Sequence, residues 1–412
     1  MNKIKFRDSC RVCGSKNLSK VLKLKKIPFT DEFVTKKNIG REFLHDLNIF
    51  LCKDCLTVQT QHDVEVERYY SDYQYSVGHS PKALKFMNLL ARNINNLYFK
   101  GINKKSILEV GSGDGKQLNE FKKLGFNTLG FEPSGNLCKI ANSNKIKTVK
   151  ELFTRKSIRN LRKKNVLFDI ILLTYTFDHL PEPGNFLSLV KKLLKQDGII
   201  IVEVHDLEKI FKNLEFCLFE HEHSIYLTQK TAKNFLELYD YNIINFNIVE
   251  ESDRRANSLI FVANQKSSKF RIKPALDKLP QKFGKINYYS SLENIIKKGI
   301  SNLEKYISVR KHCGKKIAGY GAGGRGVMTL AGMKNSSCID FLVEKNPKSS
   351  DIYTPSSGIP IVGLDYLKEN SVDEILVFSY GYMEEIKSDL AKFGYREKQI
   401  KSFINIMKDK NV

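Results

Sequence analysis

Four short apolar runs, "SILEV", "NTLGFEP", "FDIILLTYTF" and "GIIIVEVHD", punctuate the stretch from Lys105 to Asp206, with helix-spaced segments between them. Runs of that length alternating with helices predict a parallel sheet built from βαβ units. Farther along, Leu292, Ile295, Ile296, Ile300, Leu303 and Ile307 fall on one face of a helix predicted over 291–310. "KKIAGYGAGGRGVMTL" then reads as strand, glycine loop and helix, and "CIDFLVEKNP" and "VDEILVFSY" supply more strands. The expected architecture is α/β, with a small N-terminal module over 1–78, a Rossmann-like parallel-sheet core over 79–250 and a second Rossmann-like domain over 251–412. The first of these ends in an aromatic-rich stretch, "VERYYSDYQYSVGHSPKALKFMNLL".

Composition changes this picture little. A chain of 412 residues with 42% hydrophobic and 27% charged residues suits several soluble cores, and no apolar run is long enough to cross a bilayer. With no signal-peptide pattern in "MNKIKFRDSC", the expectation is a cytoplasmic protein without a membrane partner. The formal charge of +23 raises nucleic acid as a partner. Against it, the lysines are spread along the chain and no dense basic run is interleaved with aromatics. A small anionic substrate accommodates the charge equally well.

Four of the eight cysteines are paired, in "CRVCGS" and "LCKDCLTVQ". Two C-x2-C knuckles, Cys10 with Cys13 and Cys52 with Cys55, supply four thiolates to one Zn²⁺. Four protein ligands leave no position for water, so the metal is expected to be structural.

"ILEVGSGDGKQL" carries the central chemistry. Gly111, Gly113 and Gly115 allow a sharp turn at the end of a strand, and Glu132 follows at the end of the next strand, where a carboxylate accepts from ribose hydroxyls. A pyrophosphate would be repelled by Glu109 before the loop and Asp114 within it. A cationic sulfonium suits them, so the ligand expected there is S-adenosylmethionine rather than NAD. The E-x-G-x-G-x-G form with "FDIILLTYTFDHL" downstream resembles class I methyltransferases.

The order of "CRVCGS", "LCKDCLTVQ", "YQYSVGHS", "ILEVGSGDG", "HEHSIYLT", "GYGAGGRG" and "EKNPKSSDIYTPSSGIPI" resembles, over nearly the whole chain, the sugar C-methyltransferases that act on nucleotide-linked 4-keto-deoxysugars. That resemblance implies methylation of the carbon next to the ketone, C3, through an enolate. A base must take the C3 proton, a donor must stabilise the enolate oxygen, and two ligands must meet rigidly. Glu222 and His223 in "FEHEHSIYL" inherit the catalytic expectation, the carboxylate setting the tautomer of the imidazole. A metal on His221 and His223 is the weaker alternative, for want of a clear third ligand. His179 in "TFDHLPEP" matches another catalytic position, and Tyr73 and Tyr75 match an aromatic pair able to donate to the enolate, Tyr75 by preference. Tyr320, Gly321, Ala322 and Arg325 are implied to hold the nucleotide sugar through backbone amides and one cation.

Two departures from that family bear on the substrate. "RRANSLI" replaces a glycine pair before Ser-Leu-Arg, changing Ala256, Asn257 and Ile260, and "FSYGY" stands where a tryptophan–asparagine pair is usual. The rival functions are methyl transfer to oxygen or nitrogen of a sugar nucleotide or related metabolite, and a zinc-containing RNA methyltransferase.

Overall fold

A computed structural model describes residues 4–30, 32–64, 70–71, 80–269, 286–347 and 349–409. Among them, the central sheet has seven strands in the order Tyr241–Phe246, Leu259–Gln265, Leu194–Val204, Phe168–Thr174, Lys105–Val110, Phe126–Phe131 and Thr148–Val149. The expected parallel strands are present, each with its predicted apolar run. Leu259–Gln265, however, runs antiparallel to both neighbours, making the sheet mixed. This strand also corrects the expected boundary at 250. It pairs from Leu259 to Gln265 with the central strands, so the core reaches past residue 251.

Alternation within each strand explains why these runs are apolar throughout. Leu108, Val110, Ile171, Leu173, Ile200 and Val202 pack on one face of the sheet, and Ile107, Ile170, Leu172, Ile199 and Ile201 on the other. Both faces are covered, as parallel strands require. Helix Pro81–Tyr98 covers one of them with Phe86, Leu90 and Ile94. It begins where Ser80 accepts from the Ala83 amide and Pro81 fixes the first turn.

In the C-terminal part, five parallel strands run in the order Ile361–Val362, Leu342–Val343, Ile317–Tyr320, Glu374–Val377 and Ile400–Ser402. The helix before them spans Leu292–His312 and buries Leu292, Ile296, Leu303 and Ile307 as its periodicity predicts. Its apolar stripe is narrower than expected, since Ile295 is 45% exposed.

An antiparallel sheet of Leu18–Ile27, His45–Cys52, Val58–Thr60 and Ile225–Tyr226 lies between the two larger sheets. Its last strand comes from the central part of the chain. Leu22, Leu24, Leu47 and Ile49 share one core with Leu303, Met328, Leu342 and Leu376 of the C-terminal part. Cys10, Val12 and Cys52 pack instead with Phe235, Leu236 and Tyr241 of the central part. The cysteine module is thus a wedge joining the other two by apolar burial, each fully buried Leu or Ile contributing ~1.5–3 kcal/mol.

Candidate active site

The four knuckle cysteines converge. Cys10 Sγ lies 3.6 Å from Cys55 Sγ and Cys13 Sγ lies 3.6 Å from Cys52 Sγ. All four sulfurs lie within 4.8 Å of one another. Zinc–thiolate bonds of about 2.3 Å span a tetrahedron with edges of about 3.8 Å, so the residues fit the ion. Gln59 Nε2 donates to Cys10 Sγ at 3.1 Å and the Val12 amide at 3.4 Å, support that a thiolate needs.

The glycine loop leaves the carboxyl end of the Lys105–Val110 strand. Gly111, Gly113 and Gly115 have φ of 71°, 54° and 79°, a region that side chains disfavour. At Gly111 an added Cβ would also sit 2.4 Å from Thr176 Oγ1, whereas at Gly113 it would meet nothing within 4 Å. Space over Gly113 is therefore available to a ligand. The Gly113 amide donates to Glu132 Oε2 and the Ser134 amide to Glu132 Oε1, both at 2.8 Å. Each carboxylate oxygen keeps a second lone pair, suited to a ribose hydroxyl. Burial pushes the Glu132 carboxyl up, while the two amides oppose the shift.

Glu109 accepts from Thr174 Oγ1 at 3.3 Å, and its Oε2 is buried with no hydrogen-bond partner among the described residues. Burial holds its carboxyl well above the usual range. An unpaired buried carboxyl beside the loop is stabilised by an arriving cation. Asp114 is also buried at the loop and accepts from the Lys116 amide at 3.2 Å. These residues fit S-adenosylmethionine.

Beyond the next two strand ends lies a cluster of imidazoles. His179 and Asp178 sit on the short turn Phe177–His179 after the Phe168–Thr174 strand, and His205 follows Leu194–Val204. His223 arrives on the 219–224 loop, pinned to that turn by the Ser224 amide and hydroxyl, which donate to the Asp178 carbonyl at 2.6 and 3.0 Å. The ring of His223 is 4.7 Å from that of His179 and 4.7 Å from that of His205. His205 Nδ1 and Asp178 Oδ2 are 2.9 Å apart. Neither His205 nor Asp178 stood out in the sequence. Their only signal was position, just after strands that the apolar runs had located.

The structure corrects the expected orientation of His223. Its Nδ1 lies 2.8 Å from the Leu218 carbonyl, which can only accept, so Nδ1 carries the proton and Nε2 the lone pair. Glu222 instead accepts from the Thr30 amide and hydroxyl at 3.5 Å, and the carboxylate nearest Nε2 is that of Glu220, at 3.7 Å. A backbone carbonyl therefore sets the tautomer, where the adjacent Glu222 was expected to. Burial, then the charges of His179 and His205, lower His223 to about 3. His221 faces away from the cluster. Its Nε2 donates to the Ile27 carbonyl at 2.9 Å and its Nδ1 meets His62 Nε2 at 2.9 Å, joining the 219–224 loop to the cysteine module.

Tyr73 and Tyr75 lie outside the described residues. A different tyrosine of the same stretch, Tyr70, places its hydroxyl 2.7 Å from His179 Nδ1.

At the C-terminal glycine loop the predicted residues are largely committed within the protein. Tyr320 ends the Ile317–Tyr320 strand, the Gly321 amide donates to the Val343 carbonyl at 2.9 Å, and the Ala322 amide to Glu344 Oε2 at 2.9 Å. Arg325 is paired with the fully buried Glu215, Nε to Oε1 3.6 Å, beside Tyr380. Burial works against its charge, but Glu215 and Tyr380 raise its pKa. Its cation is thus balanced inside the fold. An added Cβ at Gly324, on the first turn of the Gly324–Ala331 helix, would lie 2.9 Å from Glu220 Oε1, so this loop abuts the histidine cluster.

The departures at 256–260 have structural roles. Asn257, at φ 51°, donates to Glu215 Oε2 at 2.6 Å and accepts from the Asp206 amide at 2.7 Å. Ala256 packs on Gly381, where a Cβ would approach to 2.2 Å. Ile260 is buried in the central sheet.

Family models match the chain in three consecutive pieces: a zinc binding domain over 10–70, a methyltransferase domain over 83–245 and a C-methyltransferase C-terminal domain over 258–405. The chain is an S-adenosylmethionine-dependent methyltransferase. C-methyltransferase NovU of Streptomyces niveus is similar to it over 400 residues at 24% identity, covering 94% of this methyltransferase and 93% of NovU. Among solved structures, the plantazolicin methyltransferase BpumL in complex with SAH is 18% identical over 45% of this chain and 84% of its own, with a TM-score of 0.35. A SAM-dependent methyltransferase from Archaeoglobus fulgidus is 21% identical over 43% and 94%, with a TM-score of 0.33. The methyltransferase has the class I fold, uses S-adenosylmethionine and carries a structural zinc. No helix among its described residues is long and apolar enough to cross a membrane.

Proposed function

We propose that this enzyme methylates the carbon next to the ketone, C3, of a nucleotide-linked 4-keto-deoxysugar through an enolate, in the cytoplasm. The observation that carries this reading is the cluster of the half-buried His179 and His205 with the buried His223 beyond the donor loop, in a chain similar to a C-methyltransferase over nearly its whole length. Oxygen methylation needs only a weak base, whereas removal of a carbon-bound proton calls for an imidazole held dry against the substrate.

In this reading Glu132 holds the ribose of S-adenosylmethionine, the glycine loop admits its amino-acid part and Glu109 and Asp114 favour its positive charge. When bound, that donor supplies the methyl group. His223, with its Nε2 lone pair, is positioned to take or share the C3 proton, Glu222 ties the 219–224 loop to Thr30, and His179 is held by Tyr70. Tyr75, or Tyr73, is assigned to the enolate oxygen. The loop at Tyr320, Gly321, Ala322 and Arg325 lines the nucleotide, with most of its amides and its cation already paired.

The test is mass spectrometry of a panel of nucleotide-linked 4-keto sugars incubated with isotopically labelled S-adenosylmethionine. A labelled product with the methyl on carbon is expected. A methyl found only on oxygen or nitrogen, or on RNA, overturns the proposal.

A further inference from the structure

Glu220 is the first of two buried carboxylates on the 219–224 loop, 8% exposed. Its main chain is fixed by Tyr226, whose hydroxyl accepts from the Glu220 amide at 3.2 Å and donates to the Glu220 carbonyl at 3.4 Å. Tyr226 is itself buried, its ring edge-on to that of His223 with centroids 6.1 Å apart. The side chain bridges two elements. On one side Oε2 lies 3.7 Å from His223 Nε2, and among the described residues no other carboxylate comes within 4 Å of that nitrogen. On the other, Oε1 abuts Gly324, where an added Cβ would lie 2.9 Å away. Gly324 opens the helix Gly324–Ala331, whose first-turn amides give that end a partial positive charge. An anion is favoured there, so the carboxylate needs no charge on the imidazoles to stay ionised.

A separation of 3.7 Å is too long for a hydrogen bond, as expected between a lone pair and a carboxylate. The same contact becomes attractive once Nε2 bears a proton. What else faces the ring shows why that attraction matters. Burial disfavours a cation on His223, and the Leu218 carbonyl behind Nδ1 is neutral. The rings of His179 and His205, centroids 4.7 Å away, supply no negative charge. Asp178 does, but its Oδ2 is already engaged by His205 Nδ1 at 2.9 Å. A proton arriving on Nε2 would thus stand in a dry site, where a charge is costly unless it is paired.

We infer that Glu220 is the counter-charge of the base, a positioning residue whose carboxylate, held between His223 and the Gly324–Ala331 helix, stabilises the imidazolium formed when the C3 proton is taken. The inference rests on the carbon-methylation reading above, with His223 as the base. In the step, the C3–H bond breaks, its proton goes to His223 Nε2 and its electron pair becomes the enolate. The imidazolium, paired with Glu220, later returns its proton to water. Through Gly324 the same carboxylate ties the base to the glycine loop of the C-terminal part.

The test uses the full-length zinc-loaded enzyme, a nucleotide-linked 4-keto-6-deoxysugar and S-adenosylhomocysteine in deuterated water, following deuterium entry at C3, with kcat and KM of methylation measured alongside. Glu220→Gln, the same shape without the charge, is expected to lose ~10–100-fold in exchange and in kcat, with KM and S-adenosylhomocysteine affinity little changed. Glu220→Asp keeps the charge at a greater distance and falls between Glu220→Gln and wild type. Gly324→Ala pushes the end of the carboxylate aside and leaves its charge in place, so it should cost severalfold in exchange with zinc content unchanged. Exchange at the wild-type rate in Glu220→Gln overturns the assignment. So does a Glu220→Asp rate no better than that of Glu220→Gln, because charge would then be irrelevant. A loss that falls on KM or on S-adenosylhomocysteine affinity rather than on exchange makes Glu220 a structural residue, and overturns it too. Exchange at the wild-type rate in His223→Asn is a different failure, since it moves the base elsewhere and removes the counter-charge with it. Failure of wild type itself to exchange, while it methylates another atom, sinks the carbon-methylation reading as a whole.

Discussion

The two glycine loops of this enzyme share one device. In the central part the Gly113 amide donates to Glu132 at 2.8 Å, and in the C-terminal part the Ala322 amide donates to Glu344 at 2.9 Å. Both carboxylates stand just past the strand that follows the loop, and both latch that loop. An acidic residue there is consequently no signature of a ribose on its own, because it also serves the architecture. Their neighbours differ. Around the central loop are Glu109, buried with one oxygen unpartnered, and Asp114, an anionic setting that welcomes a sulfonium. Beside the C-terminal loop is Arg325, already balanced by Glu215. The charge of the ligand is read from these neighbours: the unpartnered oxygen of Glu109 is left to a cation, whereas Asp114 is already paired with Lys116.

The cysteine wedge gives the largest effect with which to probe that contrast, because it binds one half through its sulfurs and the other through its sheet. Cys52→Ser should release the zinc and cost on the order of 5 kcal/mol or more of stability, unsettling both loops together. Metal analysis with urea unfolding checks this. If the variant keeps its full stability, the two halves do not depend on the wedge.

Next in size, Gly111→Val puts a branched side chain at φ 71° and 2.4 Å from Thr176 Oγ1, and should weaken S-adenosylmethionine binding by roughly 2–4 kcal/mol. Gly321→Val is equally crowded, 2.2 Å from Ser379 Oγ at φ 99°, yet should leave donor binding unchanged. Calorimetry on both variants decides. Donor binding lost in Gly321→Val would reverse the roles of the loops.

A finer cut comes from the two latches. Glu132→Ala should weaken donor binding by ~1–3 kcal/mol through loss of charge-assisted hydrogen bonds, while Glu344→Ala leaves it within error. Equal losses in the two variants would mean that both carboxylates act only as latches.

The smallest effect concerns the ground between the loops. Burial, followed by the charges of neighbouring groups, lowers His62 to about 4 and His221 and His223 to about 3. A lowered histidine binds fewer protons folded than unfolded between those values and about 6.5, so stability is full above pH 6.5 and falls with acid. Unfolding at pH 7.5 and 5.5 should differ by at most ~1.4 kcal/mol per buried imidazole. Substituting His62 by Gln should remove part of that difference. A flat profile would mean that water reaches these rings.

The apolar runs alone located the inner parallel strands of both larger sheets, because a strand buried on both faces leaves an uninterrupted hydrophobic signature, but not the short edge strands Thr148–Val149, Ile361–Val362 and Ile400–Ser402. Spacing alone pointed Cys10, Cys13, Cys52 and Cys55 to one site, since each knuckle is a local turn that presents two sulfurs to the same ion. The glycine loop and its flanking acids were legible for the same reason: the contacts span a single βα turn. Tertiary structure decided the rest. That Leu259–Gln265 joins the central sheet, that His223 turns to the Leu218 carbonyl and that Arg325 spends its charge on Glu215 are choices among partners distant in sequence. The pairing of Asp178 with His205 belongs with them. Two residues 27 positions apart become neighbours only because their strands lie side by side, and no local pattern records which strand a chain will choose to pair with.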